Sequence, residues 1–138
     1  MVPSHWALLA FAVWTLLLVL LGIGLPRVSA VLRGARPNSF RPDVPHGTDR
    51  YQRTMRAHLN SVENLPVFAA LVLLGSLHDL DFDPVFQNAA FAVLPARVLQ
   101  STCHVASGRN RAVLARFGFF LIQLVCFGIM VARLVLAG

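Results

Sequence analysis

Residues 6–25 read WALLAFAVWTLLLVLLGIGL, twenty consecutive positions without a charge. At 1.5 Å per residue a helix of that length crosses about 30 Å, the thickness of a bilayer's hydrocarbon core. A secretory leader is the competing reading, because Val28-Ser29-Ala30 resembles a cleavage site. No Lys or Arg precedes the stretch, however, and it exceeds the 7–15 apolar residues of a leader, so it reads as a span. Near the other end, residues 117–132 (FGFFLIQLVCFGIMVA) carry one Gln and no charge before Arg133.

Composition agrees with this reading. The 138 residues are 57% hydrophobic and 13% charged, with mean hydropathy +0.66. A soluble domain carries about twice that share of charge. Twelve arginines, no lysine and six acids give a net charge of +6. Nucleic acid is the usual partner of so basic a chain, but nearly all these arginines fall in breaks between apolar runs, where membrane topology explains them. Nucleic-acid binding is therefore not expected. Cys103 and Cys126 lack metal-ligand spacing and lie in apolar surroundings, so neither a disulfide framework nor a metal site is expected.

Between the two plain runs lie two mixed ones. Leu65–Leu77 is too short to span alone; extended back to Gln52 it becomes a full helix carrying Arg56, His58, Asn60 and Glu63, with Pro66 as an expected kink. The third run, Pro84 to Ala106, carries Arg97, Gln100, Ser101 and His104, with a second kink expected at Pro95. The reading is a single all-α membrane domain, a four-helix bundle with spans near 6–30, 52–77, 84–106 and 112–135. The loop over 31–51, with Pro37, Pro42, Pro45 and Gly47, is expected to lack regular structure. That loop and the third (Arg109, Arg111) are arginine-rich, whereas the second holds Asp79, Asp81 and Asp83 and no arginine. Arginine-rich short loops stay cytoplasmic, which places both termini on the opposite, periplasmic or lumenal side. Abundant Ala and Arg without Lys point to a GC-rich coding sequence and so to a bacterial inner membrane.

The mixed spans hold their polar residues in helical register. Arg56, Asn60 and Glu63 stand at i, i+4 and i+7; Arg97, Gln100, Ser101 and His104 at i, i+3, i+4 and i+7; Arg116 and Gln123 share a face of the fourth span. The first two stripes and Arg116 lie in the loop-one half of the bilayer. Four charges among them facing lipid would cost on the order of 10 kcal/mol, comparable with a whole protein's stability, so the stripes are expected to face one another or a wet cavity. Arginines suit carboxylates and Glu63 suits an ammonium group, an inventory that fits a small zwitterion with several carboxylates. An internal network pairing Glu63 with Arg56 or Arg97 fits the same residues.

The segment Arg56-Ala57-His58-Leu59-Asn60-Ser61-Val62-Glu63-Asn64-Leu65-Pro66 resembles the second-helix signature of the MAPEG superfamily, the membrane-associated proteins in eicosanoid and glutathione metabolism. The length, the span number and the acidic second loop are similar too. The resemblance implies a homotrimer of four-helix bundles with glutathione as co-substrate between subunits near the cytoplasmic face and a lipophilic second substrate entering from the lipid. It implies glutathione contacts from Arg56, Asn60 and Glu63, with His58 at a position where some prostaglandin E synthase relatives have His. Arg97, Gln100 and His104 align with positions used around the tripeptide. Arg116 matches the arginine held to stabilise the thiolate, and Arg33 matches one that reaches the same pocket. Many members have a tyrosine where this chain has His104, and its one tyrosine, Tyr51, lies in the first loop; His104 is left to hydrogen-bond the sulfur. The activity implied is that of a glutathione transferase or peroxidase acting on lipophilic electrophiles. A non-catalytic lipid-binding scaffold resembling the 5-lipoxygenase-activating protein is the alternative, although that branch tends to lose the arginine and glutamate kept here. A small proton-coupled exporter would typically need an acid in its first span, and this one has none.

The charge division carries a topological prediction. With Cys103 and Cys126 replaced, single cysteines introduced at Ser39 and Asp81 should react with an impermeant maleimide from opposite sides of the membrane. Labelling from one side would rule out the four-span arrangement.

Overall fold

The computed structural model describes residues 1–41 and 46–138, and the expectation for Pro42 and Pro45 lies outside them. Its described residues form four long helices and no strand: α1 (Pro3–Leu32), α2 (Asp49–Leu77), α3 (Pro84–Ala106) and α4 (Asn110–Ala137). The fold is the all-α membrane bundle the apolar runs imply. Three helices, α1, α2 and α4, are long and apolar enough to cross a membrane. α3 has the length, about 34 Å for its 23 residues, but Gln87, Arg97, Gln100 and Ser101 lower its hydropathy. All four are buried in the bundle.

Local chemistry sets the helix ends. The Thr48 hydroxyl accepts from the Tyr51 amide and starts α2 there, earlier than the apolar pattern indicates. Asp83 caps α3 by accepting from the Phe86 amide, with Pro84 in the first turn. Asp79 takes a left-handed conformation just past α2, which a short polar residue tolerates. The first loop is not wholly irregular: Pro37–Ser39 forms a 3-10 turn.

Pro66 and Pro95 both sit inside continuous helices. The irregularity falls in α1, where Leu20–Gly24 forms a π turn and the Leu25 amide bonds the Leu20 carbonyl. Pro26 follows immediately; it has no N–H for the Gly22 carbonyl, and a widened turn relieves the clash of its ring with the preceding turn.

The bundle is packed unevenly along its axis. Ala7 and Phe11 of α1, Phe68, Leu71 and Val72 of α2, Phe86, Ala89, Ala90 and Val93 of α3, and Cys126, Phe127 and Met130 of α4 make one apolar core. Phe68 bridges it, with ring centroids 5.7 Å from Phe11 and 6.0 Å from Phe127. Every one of these residues lies in the half away from loop one. Beyond the core at that end, the Gln87 side chain accepts from the Ser4 amide at 2.9 Å and donates to the Leu80 carbonyl at 3.1 Å. Ser76 donates to Asp81 (2.9 Å) and lies 2.7 Å from His5 Nε2. Arg133 of α4 pairs with Asp83. Polar contacts thus fasten this end.

Two predictions follow from this end of the bundle. A Cβ at Gly75 would lie 2.3 Å from Cζ of the fully buried Phe86, whereas one at Gly118 would meet nothing within 4 Å. Gly75→Ala should therefore destabilise the protein by about 1–3 kcal/mol, read as a lowered thermal midpoint in detergent, while Gly118→Ala should not. The second concerns pH. The Phe86 amide it caps, helped by Arg133 and opposed by burial, holds the Asp83 carboxyl below its ordinary value. A depressed folded-state value stabilises above the unfolded value of about 3.9. That contribution should decline as pH falls below it and through the lowered folded value. Asp83→Asn should flatten the acid limb of the thermal-midpoint profile.

Candidate functional site

In the loop-one half the structure sorts the polar side chains into two sets. The first is internal. Arg97 is wholly buried, with its guanidinium carbon 5.2 Å from the Phe11 ring centroid. The Gln123 amide donates to Gln100 at 2.9 Å and to the Phe119 carbonyl at 3.0 Å, joining α4 to α3. Arg97 Nε and Nη2, Ser101 Oγ and Gln123 Oε1 are buried without a hydrogen-bond partner. Helical spacing explains the set: Arg97, Gln100 and Ser101 share one face of α3, and that face is the one the bundle covers.

The second set faces out. Arg56 and Glu63 are exposed and Asn60 is half-buried, with exposed Leu59, Val62 and Val67 around them. Neither Arg56 nor Glu63 makes an ion pair with a described residue. The expectation that the stripes of α2 and α3 face each other is therefore corrected. Ala57, Ser61 and Phe68 are the α2 residues that face the bundle, and the heptad Arg56–Asn60–Glu63 lies off that face. An internal pairing of Glu63 with Arg56 or Arg97 is not formed.

The two sets come closest at the loop-one end. Arg53 Nε donates to the Val105 carbonyl at 3.2 Å, tying the start of α2 to the last turn of α3, where a cation also suits the helix dipole. His104, half-buried, lies within electrostatic reach of Arg116, Arg56 and Arg53. The start of α2, the end of α3 and the start of α4 thus bring Arg53, Arg56 and Arg116 within electrostatic range of His104. Such a cluster attracts anions and favours a thiolate over a thiol.

Other sequence candidates lie elsewhere. His58 points toward α1, its Nδ1 3.3 Å from the Thr15 carbonyl. Two residues from Arg56 is about 200° around a helix, so the two occupy opposite sides of α2. Arg33 stands exposed at the end of α1 and bonds Ser29. Sequence reasoning did not single out Arg27, whose Nε donates to the Tyr51 hydroxyl at 2.5 Å and whose guanidinium lies over Phe40 and Tyr51. Arg27 follows Pro26 in α1, and a basic residue next to an aromatic-bearing loop was the available signal. Among the described residues no group of three or more His, Cys, Asp or Glu is placed to hold a metal, and both cysteines are free.

A family model, the MAPEG family, matches residues 5–136. The chain belongs to the MAPEG family. No curated protein and no solved structure matches it. The match spans all four helices, so the MAPEG assignment covers the internal set, the outward strip and the cationic cluster together. As a MAPEG protein it is an integral membrane protein of the glutathione- or eicosanoid-related kind.

Arg97 supplies the prediction here. A buried guanidinium with two unpartnered nitrogens is a cost to the fold rather than a support. Arg97→Met, apolar and of similar reach, should leave the thermal midpoint of the ligand-free protein unchanged or raise it. A drop of several degrees would mean that the guanidinium has partners the bundle does not display.

Proposed function

We propose that the protein is a glutathione-dependent transferase or peroxidase for lipophilic electrophiles, working as a homotrimer. The observation that carries this reading is the outward strip. Arg56, Asn60 and Glu63 present a cation, an amide and an anion on the surface of one subunit, within a segment that lies in the membrane. Lipid cannot satisfy them, and the same subunit does not pair them. A neighbouring copy covering the strip, with a zwitterionic peptide between the two, satisfies both charges.

In this reading Glu63 holds the ligand's ammonium group, and Arg56 and Asn60 hold a carboxylate and a peptide group. Arg33, exposed at the loop-one end of α1, is assigned to the rim. Gln100 and Arg97 support the site from within the bundle, and His58 fixes α2 against α1. Arg116 and His104 stand at the sulfur. The cation lowers the thiol's pKa, and His104 hydrogen-bonds the thiolate. The sulfur then attacks the electrophilic carbon of a substrate dissolved in the bilayer; a C–S bond forms and the leaving group departs with its electron pair. With the arginine-rich loops cytoplasmic, the site opens to the cytoplasm and the termini face the opposite side; the Lys-free, Ala- and Arg-rich composition favours a bacterial inner membrane.

The test is a binding and turnover series in detergent-purified protein. Glu63→Ala and Arg56→Ala should each weaken glutathione by about 2–5 kcal/mol, because each leaves a desolvated charge unpaired; Arg109→Ala should not. Arg116→Ala should mainly slow conjugation of chlorodinitrobenzene while largely sparing affinity, since the cation's attraction grows as charge develops on sulfur. A protein that binds glutathione without thiolate absorbance near 240 nm at neutral pH, and without conjugation or peroxidase activity, would be a binding scaffold instead.

A further inference from the structure

A groove runs along the outside of the bundle between α1 and α3 and ends at the first turns of α2. Its upper part is lined by Leu9, Val13, Leu94 and Val98 and is almost wholly apolar. Trp14 and Leu17 continue it into two joined hollows of about 480 and 450 Å³. These share Trp14, Leu18, Arg50 and Val105, and Arg53 and Ser101 line the second. The apolar wall is thus on the hydrocarbon side and the guanidinium groups are at the loop-one membrane surface.

Polar atoms inside the groove are unsatisfied. Ser101 is 2% exposed and its hydroxyl has no partner; the indole N–H of Trp14 is buried without an acceptor. Among the described residues the Arg50 guanidinium has no hydrogen-bond partner, and Arg53 bonds only through its Nε, to the Val105 carbonyl. Donors therefore converge where the apolar channel meets the surface, and no acid among the lining residues neutralises them.

We infer that this groove is a binding site for an anionic phospholipid. The acyl chain would lie along Trp14, Leu17 and Val13 and the phosphate would sit between Arg50 and Arg53. Basic pockets between membrane helices at an anionic leaflet take such headgroups, and the flanking arginines Arg27, Arg33 and Arg36 raise the local concentration of anionic lipid. A zwitterionic phospholipid fills the apolar part equally well but gains much less from the two cations. The site shares Arg53 with the cationic group near His104, whereas Trp14, Arg50 and the apolar wall lie apart from the Arg56–Glu63 strip and do not depend on its occupant.

Trp14 reports on the groove directly. The full chain carrying Trp6→Phe, reconstituted in phosphatidylcholine nanodiscs, would be titrated with phosphatidylglycerol brominated on its acyl chains, and in parallel with brominated phosphatidylcholine. Quenching of Trp14 should favour phosphatidylglycerol severalfold at equal mole fraction. Arg50→Gln, which breaks no hydrogen bond, should reduce that preference about fivefold, and Arg111→Gln, an equal charge change on another loop, should leave it. Glycerol phosphate added in solution should not displace the lipid; displacement would reassign the site to a soluble phosphate. Equal quenching by the two lipids, or a preference unchanged in Arg50→Gln, would overturn the inference.

Discussion

A charge inside hydrocarbon has to be met by something other than lipid, and the arrangement of this protein follows from that requirement. A charged side chain at the bilayer centre costs at least about 2.5–3.5 kcal/mol, and three of the four helices carry such groups: Arg53, Arg56 and Glu63 on α2, Arg97 on α3 and Arg116 on α4. The bundle treats four of these five charges in three ways. It buries Arg97 over the Phe11 ring, spends Arg53 on the Val105 carbonyl in the last turn of α3, and turns Arg56 and Glu63 to the outside of the subunit.

The division of labour along the bundle axis makes this tolerable. One half holds the aromatic and aliphatic core, centred on Phe68, and its outer end is fastened by Gln87, Ser76 and the Arg133–Asp83 pair. That half supplies rigidity. The loop-one half carries buried polar atoms without partners and a guanidinium cluster around His104, a local structure that only a stable remainder can hold. Unsatisfied polar groups of this kind gather at functional sites, where ligand or solvent completes them.

Much of this was legible in the sequence. The uncharged run at residues 6–25 and the charge alternation of the loops indicate four antiparallel helices, because hydrophobic length and arginine placement are themselves the physical determinants. The register of Arg56, Asn60 and Glu63 likewise identifies one face of α2. Which way that face turns was not legible, since a helical stripe specifies which residues lie together and not what covers them. The small residues Ala57 and Ser61 determine the outcome: they let α2 pack closely on its neighbours and so send the larger polar residues outside. The π turn in α1 was equally hidden. It depends on Pro26 acting together with the close approach of Gly22 to Thr54, where a Cβ would lie 2.2 Å from Thr54 Cγ2, and a tertiary contact of that kind leaves no periodic signal.

The central claim is that the outward strip of α2 is covered by another copy of the chain. Pulsed electron paramagnetic resonance on a single nitroxide at Leu59→Cys, in a background with Cys103 and Cys126 replaced and in lipid nanodiscs, measures this directly. Leu59 lies exposed beside Arg56 and Asn60. The account predicts a narrow distribution between copies at two to three helix diameters, about 20–35 Å. Loss of every inter-copy distance on dilution with unlabelled lipid, leaving single chains, would contradict it.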